Sequence, residues 1–266
     1  MIFRLIIVFL LLMGVSSPES TPLIQRIGDA GTVDWSNFMI TSRGRASENP
    51  SLPLEVRRES ALHAAERDAL VRMMDLMNQI FLDAESLVGD VVTANDSVHL
   101  ALMDTVSRYL RTVDRVYLSD GSTELDVELP LLGPVMGLLL PIMDGEQLLG
   151  GAPHATVFTG VVIDARGLEL NPCLVPRLLN EDGVEVYGRS FVARESAVST
   201  GMCGWMKESL DSPEDRVGAS PIVIKAKQIS GANRTDIIIA NDDAKAVHSS
   251  SSAPTILRTC RLIVLN

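Results

Sequence analysis

The stretch from Leu54 to Leu82 constrains the fold most. Leu62, Ala65, Ala69, Met73, Leu76 and Ile80 recur at intervals of three and four, the period of one buried helix face. A second stripe, Leu70, Met74, Met77 and Phe81, widens the apolar face over the last turns. Ala61, Ala64, Ala65 and Ala69 keep the first half slim, so a sheet can approach closely there. Asn49-Pro50-Ser51-Leu52-Pro53 is the turn that delivers this helix.

The neighbouring segments supply the sheet. Val33 to Arg45 reads as one strand, and residues 18–33 as a loose lead-in. A short strand is expected over Leu87–Thr93, then a helix over Val98–Leu110 capped by Asp96 or Ser97. Arg115–Ser119 and Thr123–Leu129 flank Asp120-Gly121, a pair that tolerates the positive φ of a tight hairpin. Leu125, Val127 and Leu129 alternate with Glu124, Asp126 and Glu128, which describes a sheet with one buried and one wet face.

Leu129–Met143 is apolar and uncharged, broken by Pro130, Gly133, Pro134, Gly137 and Pro141, and too short to span a bilayer. With Asp144–Pro153 it reads as a connection between two halves. The second half is expected to hold strands at Thr156–Asp164, Pro221–Ile229, Asp236–Ile239 and Cys260–Leu265. A hairpin is expected at Asp182-Gly183, and helices at Ala193–Met206 and Asp242–Val247. The serine run Ser249–Ser252 reads as a flexible loop. The class is α+β. A helix cradled by an antiparallel sheet occupies residues 31–133, a linker residues 134–155, and a second mixed α+β domain residues 156–266.

Residues 1–17 have the pattern of a signal peptide: Arg4, the apolar run Leu5–Met13, then the small residues Gly14, Val15, Ser16 and Ser17. Export to the periplasm or the outer-membrane periphery is therefore expected, with no transmembrane span after cleavage. Val15 stands where a lipoprotein would carry cysteine. The net charge of −11 disfavours nucleic acid and anionic lipid as partners. Cys173, Cys203 and Cys260 form no C-x-x-C pair, and their odd number leaves at least one thiol free in a monomer.

No catalytic motif emerges: there is no G-x-S-x-G, Walker A, H-E-x-x-H or G-x-G-x-x-G. The chain is read as a non-enzyme with no cofactor and no metal. Glu59 and His63 lie four apart on the long helix, a spacing that could share a metal but is far more commonly a charged helix face. His154 in a Gly-Gly-Ala-Pro loop has no nucleophile to serve. Asp164 and Arg166 flank the end of an apolar strand, either as a local pair fixing the turn at Gly167 or with Arg166 as a clamp for an anion. Glu124, Asp126 and Glu128 make a solvated row. Leu138, Leu139 and Leu140 are a candidate contact segment, with burial between the two halves as the other reading.

The strand entering Gly44-Arg45-Ala46, the helix Ala61-x-x-Ala64-Ala65-x-Arg67-x-Ala69 and the hairpin at Asp120-Gly121 before Glu124–Leu132 together resemble the FlgP-type flagellar lipoproteins. The resemblance covers Trp35–Gly133. It implies a compact helix-on-sheet module and assembly into rings or discs around the flagellar motor. The expected function is an exported, non-enzymatic assembly or scaffold protein of the cell envelope, partnered by itself or by envelope and flagellar proteins. The alternative is a periplasmic small-anion binding module using Arg166.

Overall fold

Gly44 shows how tightly the long helix meets its sheet. A Cβ at this position would fall 2.2 Å from the Ala65 carbonyl oxygen and 2.5 Å from the Ala69 nitrogen. The alanine face and the glycine thus allow backbone to pass against backbone. The computed structural model describes residues 21–140, 157–207 and 215–266. The predicted leader 1–17, His154 and most of the predicted linker lie outside these residues.

The N-terminal sheet comprises β1 (Ile24–Ile27), β2 (Gly31–Asp34), β3 (Met39–Ser47), β4 (Arg111–Tyr117) and β5 (Ser122–Pro130). Its order is β1-β2-β3-β5-β4, antiparallel throughout. Helix α1 (Leu54–Asn78) packs on β3 and β5 through Ala61, Ala65, Ala69, Met73 and Leu76. Helices α2 (Val88–Ala94) and α3 (Asp96–Tyr109) extend that layer.

Three expectations for this half are corrected. The lead-in contains β1 and the start of β2. The single strand predicted over Val33–Arg45 is two, because Asp34 accepts the Asn37 N–H at 3.1 Å and Phe38 takes φ +50°. Apolar Trp35 and Phe38 hid this turn by continuing the apolar pattern. The strand expected at Leu87–Thr93 is α2. Its β-branched residues favour a strand, but Asp90 accepts the Leu87 N–H at 2.7 Å, and Val88 and Val92 share one buried helix face.

Helix α4 (Pro134–Leu139) occupies the start of the predicted linker, with Val135, Met136 and Leu139 buried. Beyond it, a four-stranded all-parallel sheet has the order β10-β6-β13-β9, comprising β6 (Val161–Asp164), β9 (Gly204–Met206), β10 (Ile222–Lys225) and β13 (Leu262–Leu265). A second four-stranded sheet, β11-β12-β7-β8, holds β7 (Arg177–Asn180), β8 (Glu185–Tyr187), β11 (Gln228–Ser230) and β12 (Asp236–Ile239). Helices α5 (Arg194–Thr200), α6 (Asn241–Ser249) and α7 (Ala253–Arg258) complete this half. The fold is α+β, as expected.

Here too the sequence reading is amended. The helix predicted over Ala193–Met206 stops at Thr200, where Gly201 takes φ +76° and the chain turns into β9. The predicted strand Pro221–Ile229 is β10 and β11, in different sheets. The serine run is anchored: Ser250 is buried, and Ser252 Oγ donates to the Phe158 carbonyl at 2.9 Å.

The two halves share one hydrophobic core, which runs from Trp35 and Ile40 through Leu131 and Met136 to Trp205 and Val264. Backbone hydrogen bonds cross between them, Gly133 N–H to Val198 O at 2.8 Å and Val175 N–H to Leu82 O at 2.8 Å. The Asn233 amide donates to Asp83 O at 2.9 Å.

Candidate functional site

The outer face of the N-terminal sheet carries a broad concavity. Strand alternation decides its chemistry. Ile40, Ser42 and Gly44 of β3 point to the helix layer, so Thr41, Arg43 and Arg45 point outward. On β5 the outward set is Glu124, Asp126 and Glu128. The register sets Arg43 opposite Asp126 and Arg45 opposite Glu124.

Arg43 therefore grips Asp126 with both arms of its fork, Nε to Oδ1 at 2.5 Å and an Nη to Oδ2 at 2.9 Å. Its other Nη lies 3.6 Å from Glu124. Arg45 reaches Glu124 at 3.4 Å and Asp120 at 3.3 Å. Asp120 also accepts from the Ser122 hydroxyl and N–H, which hold its carboxyl below the usual range with a smaller contribution from Arg45. Two of the three carboxylates that read in the sequence as a solvated row, Glu124 and Asp126, are thus held in a cross-strand ladder of ion pairs. Beside it a groove of about 580 Å³ is lined by Arg26, Thr32, Thr41, Arg43, Asp114 and Asp126.

Asp164 and Arg166 do come together. Arg166 Nε donates to Asp164 Oδ1 at 2.8 Å and an Nη donates to Oδ2 at 2.7 Å. This hydrogen bonding lowers the Asp164 pKa, with a smaller push from Lys225, its register partner on β10. The fork that would clamp an anion is thus engaged by its own neighbour, at the carboxyl end of β6. The geometry is that of a turn-fixing pair.

Leu139 and Leu140 are buried and Leu138 is half-buried. Arg194 Nη atoms donate to the carbonyls of Gly137 at 2.5 Å and Leu140 at 3.2 Å, tying the end of α4 to α5. The segment is core between the halves, which leaves Leu139 no face for a partner. Glu59 and His63 lie 3.9 Å apart on exposed helix surface, and Glu66 meets the other ring nitrogen at 3.0 Å. Among the described residues no group of three or more His, Cys, Asp or Glu side chains is placed to hold a metal.

Cys173, Cys203 and Cys260 are free and buried. Burial pushes the Cys173 and Cys203 thiols well up and that of Cys260 to about 11. At neutral pH they are protonated and poor nucleophiles. Sequence reasoning missed the buried pair Arg177–Asp236, a fork at 2.9 and 2.5 Å with Asp236 3% exposed. Only the parallel pairing of β7 with β12 brings these residues face to face.

A comparison with protein families bears on the second half alone. Residues 160–266 match the model for the second domain of Treponema pallidum Tp0624. That stretch is β6 through β13, both four-stranded sheets with their helices. No curated protein matches the chain. Among the described residues no helix is long and apolar enough to cross a membrane.

Proposed function

We propose that this chain is an exported, non-enzymatic assembly or scaffold protein of the cell envelope, working beside the flagellar motor. The observation that carries this reading is the ion-pair ladder on the outer sheet face. Around the groove, Arg43 and Arg45 are spent on Asp120, Glu124 and Asp126. Such pairing occupies the charged groups of a broad surface and leaves them less free for proton transfer or nucleophilic work. The resemblance of Trp35–Gly133 to FlgP-type proteins supports the flagellar setting. The leader-like residues 1–17 support export.

The test is the solution mass of the exported protein, measured by light scattering over a range of concentration and salt. Self-association is expected to strengthen as salt rises, because copies of net charge −11 repel. Their repulsion reaches ~30 Å at 0.01 M salt and ~8 Å at physiological ionic strength. A strict monomer at every condition, with no co-sedimentation with the envelope fraction, would overturn the reading.

A further inference from the structure

Strand β4 ends its sheet, with no described strand paired to its outer edge, and every one of its seven residues is exposed. No other described strand has this property. The cause is the placement of the helix layer: α1 covers β3 and β5 and stops short of β4. Both faces of β4 are therefore open, including apolar Val113, Val116 and Tyr117, which are 57%, 41% and 43% exposed. A register shift between Thr112 and Asp114 interrupts the first part of the strand, and such bulges blunt edge pairing. The regular run Asp114–Tyr117 has no such bulge, and its side-chain cap is the Asp114 carboxylate, which accepts the Arg115 N–H at 2.8 Å.

The charge around this edge opposes that of the whole chain. Arg115 shares the helix-side face with Tyr117, and Arg58 of α1 lies over the Tyr117 ring at 4.9 Å. Arg58, Arg111 and Arg115 make no ion pair among the described residues, whereas Arg43 and Arg45 are fully engaged. Asp114 and Val116 alternate on the other face. Unpaired arginines on one face and an apolar residue on the other suit one kind of strand, acidic on the helix side and apolar on the outer side. A second copy suits it less well. Fully overlapped antiparallel pairing sets Asp114 against Asp114 at the two-fold axis, between chains of charge −11.

We propose that the edge of β4 is a docking site for an extended partner segment of alternating acidic and apolar residues, added to the sheet as a sixth strand. Backbone hydrogen bonds to Asp114–Tyr117 supply affinity once the incoming strand replaces the Asp114 carboxylate on the Arg115 N–H, and Arg58 and Arg115 select acidic side chains. The proposal names the surface through which a scaffold would hold its partner, and so rests on that reading.

The test uses the full chain and a blocked, fluorescently labelled peptide of alternating glutamate and valine, about as long as β4. Fluorescence anisotropy is expected to show binding at low salt that weakens as salt screens it. Amide chemical shifts are expected to move along 111–117. The Arg58→Glu/Arg115→Glu variant, altered only at exposed positions, is expected to bind about tenfold or more weakly. A lysine–valine peptide offered to the unaltered protein is expected not to bind, a control independent of how the variant folds. Absence of binding by the glutamate peptide, equal binding by the lysine peptide, or unchanged affinity in a folded variant would each overturn the proposal. Failure here would leave the mass measurement unaffected, so the docking site and the scaffold reading stand or fall separately.

Discussion

Trp35 and Trp205 meet edge to face, ring centroids 6.2 Å apart and planes at 65°. One follows β2 in the N-terminal half, and the other is the middle residue of β9 in the second. Both are buried. Trp35 Nε1 donates to Gln25 Oε1 at 2.8 Å, and the adjacent Ser36 hydroxyl donates to the Trp205 carbonyl at 2.8 Å. An aromatic pair of this geometry contributes about 0.5–1.5 kcal/mol beyond the area it buries. The seam between the halves is therefore packed as an interior.

The close approach at Gly44 predicts a strong size limit. Gly44→Ala should destabilise by about 3 kcal/mol, the upper end for overpacking, because the atoms it meets are backbone. Ala69→Leu should cost about 1–3 kcal/mol. Urea denaturation of both variants checks this; unchanged midpoints would contradict the contact.

Leu139→Asp should abolish folding rather than tune assembly. The site is 3% exposed, and an unpaired carboxylate there loses its hydration with no partner in return. The expected cost exceeds about 4 kcal/mol. A variant that melts like the parent protein would contradict the burial of α4.

Arg177→Ala would leave Asp236 charged and buried. The loss should be about 3 kcal/mol, the low end for a broken buried pair, since Arg177 keeps 37% of its side chain exposed. Adding Asp236→Asn should restore part of it. A double-mutant cycle with no coupling would contradict the pairing.

The pair at the end of β6 predicts a modest acid sensitivity. The Asp164 carboxyl titrates lower in the folded chain than its unfolded value of ~3.9. Its contribution to stability is then present above that value and lost as pH falls through the lower folded one. Melting temperature measured from pH 6 to pH 2 should fall less steeply for Asp164→Asn or Arg166→Ala than for the parent. Identical profiles would show that the pair contributes nothing.

Much of the architecture is written locally. The α1 stripe, the Asp120-Gly121 and Asp182-Gly183 hairpins and the strand Asp236–Ile239 depend on near neighbours, and the structure contains each of them. What escaped depends on register between distant segments. Arg43 and Asp126 are 83 positions apart, so acids that look free in the sequence are paired in the fold. Helix α2 escaped because a capping carboxylate and two buried valines outweigh β-branched propensity. The Asp164–Arg166 pair was legible because its partners are two residues apart.

The union of the two halves into one body can be tested through the only two tryptophans of the chain, both at the seam. Tryptophan fluorescence and far-ultraviolet circular dichroism should be followed together through urea unfolding. One core predicts a single transition with coincident midpoints by both probes. A fluorescence change completed while the circular dichroism signal is still native would mean that the halves separate before they unfold, and would contradict it.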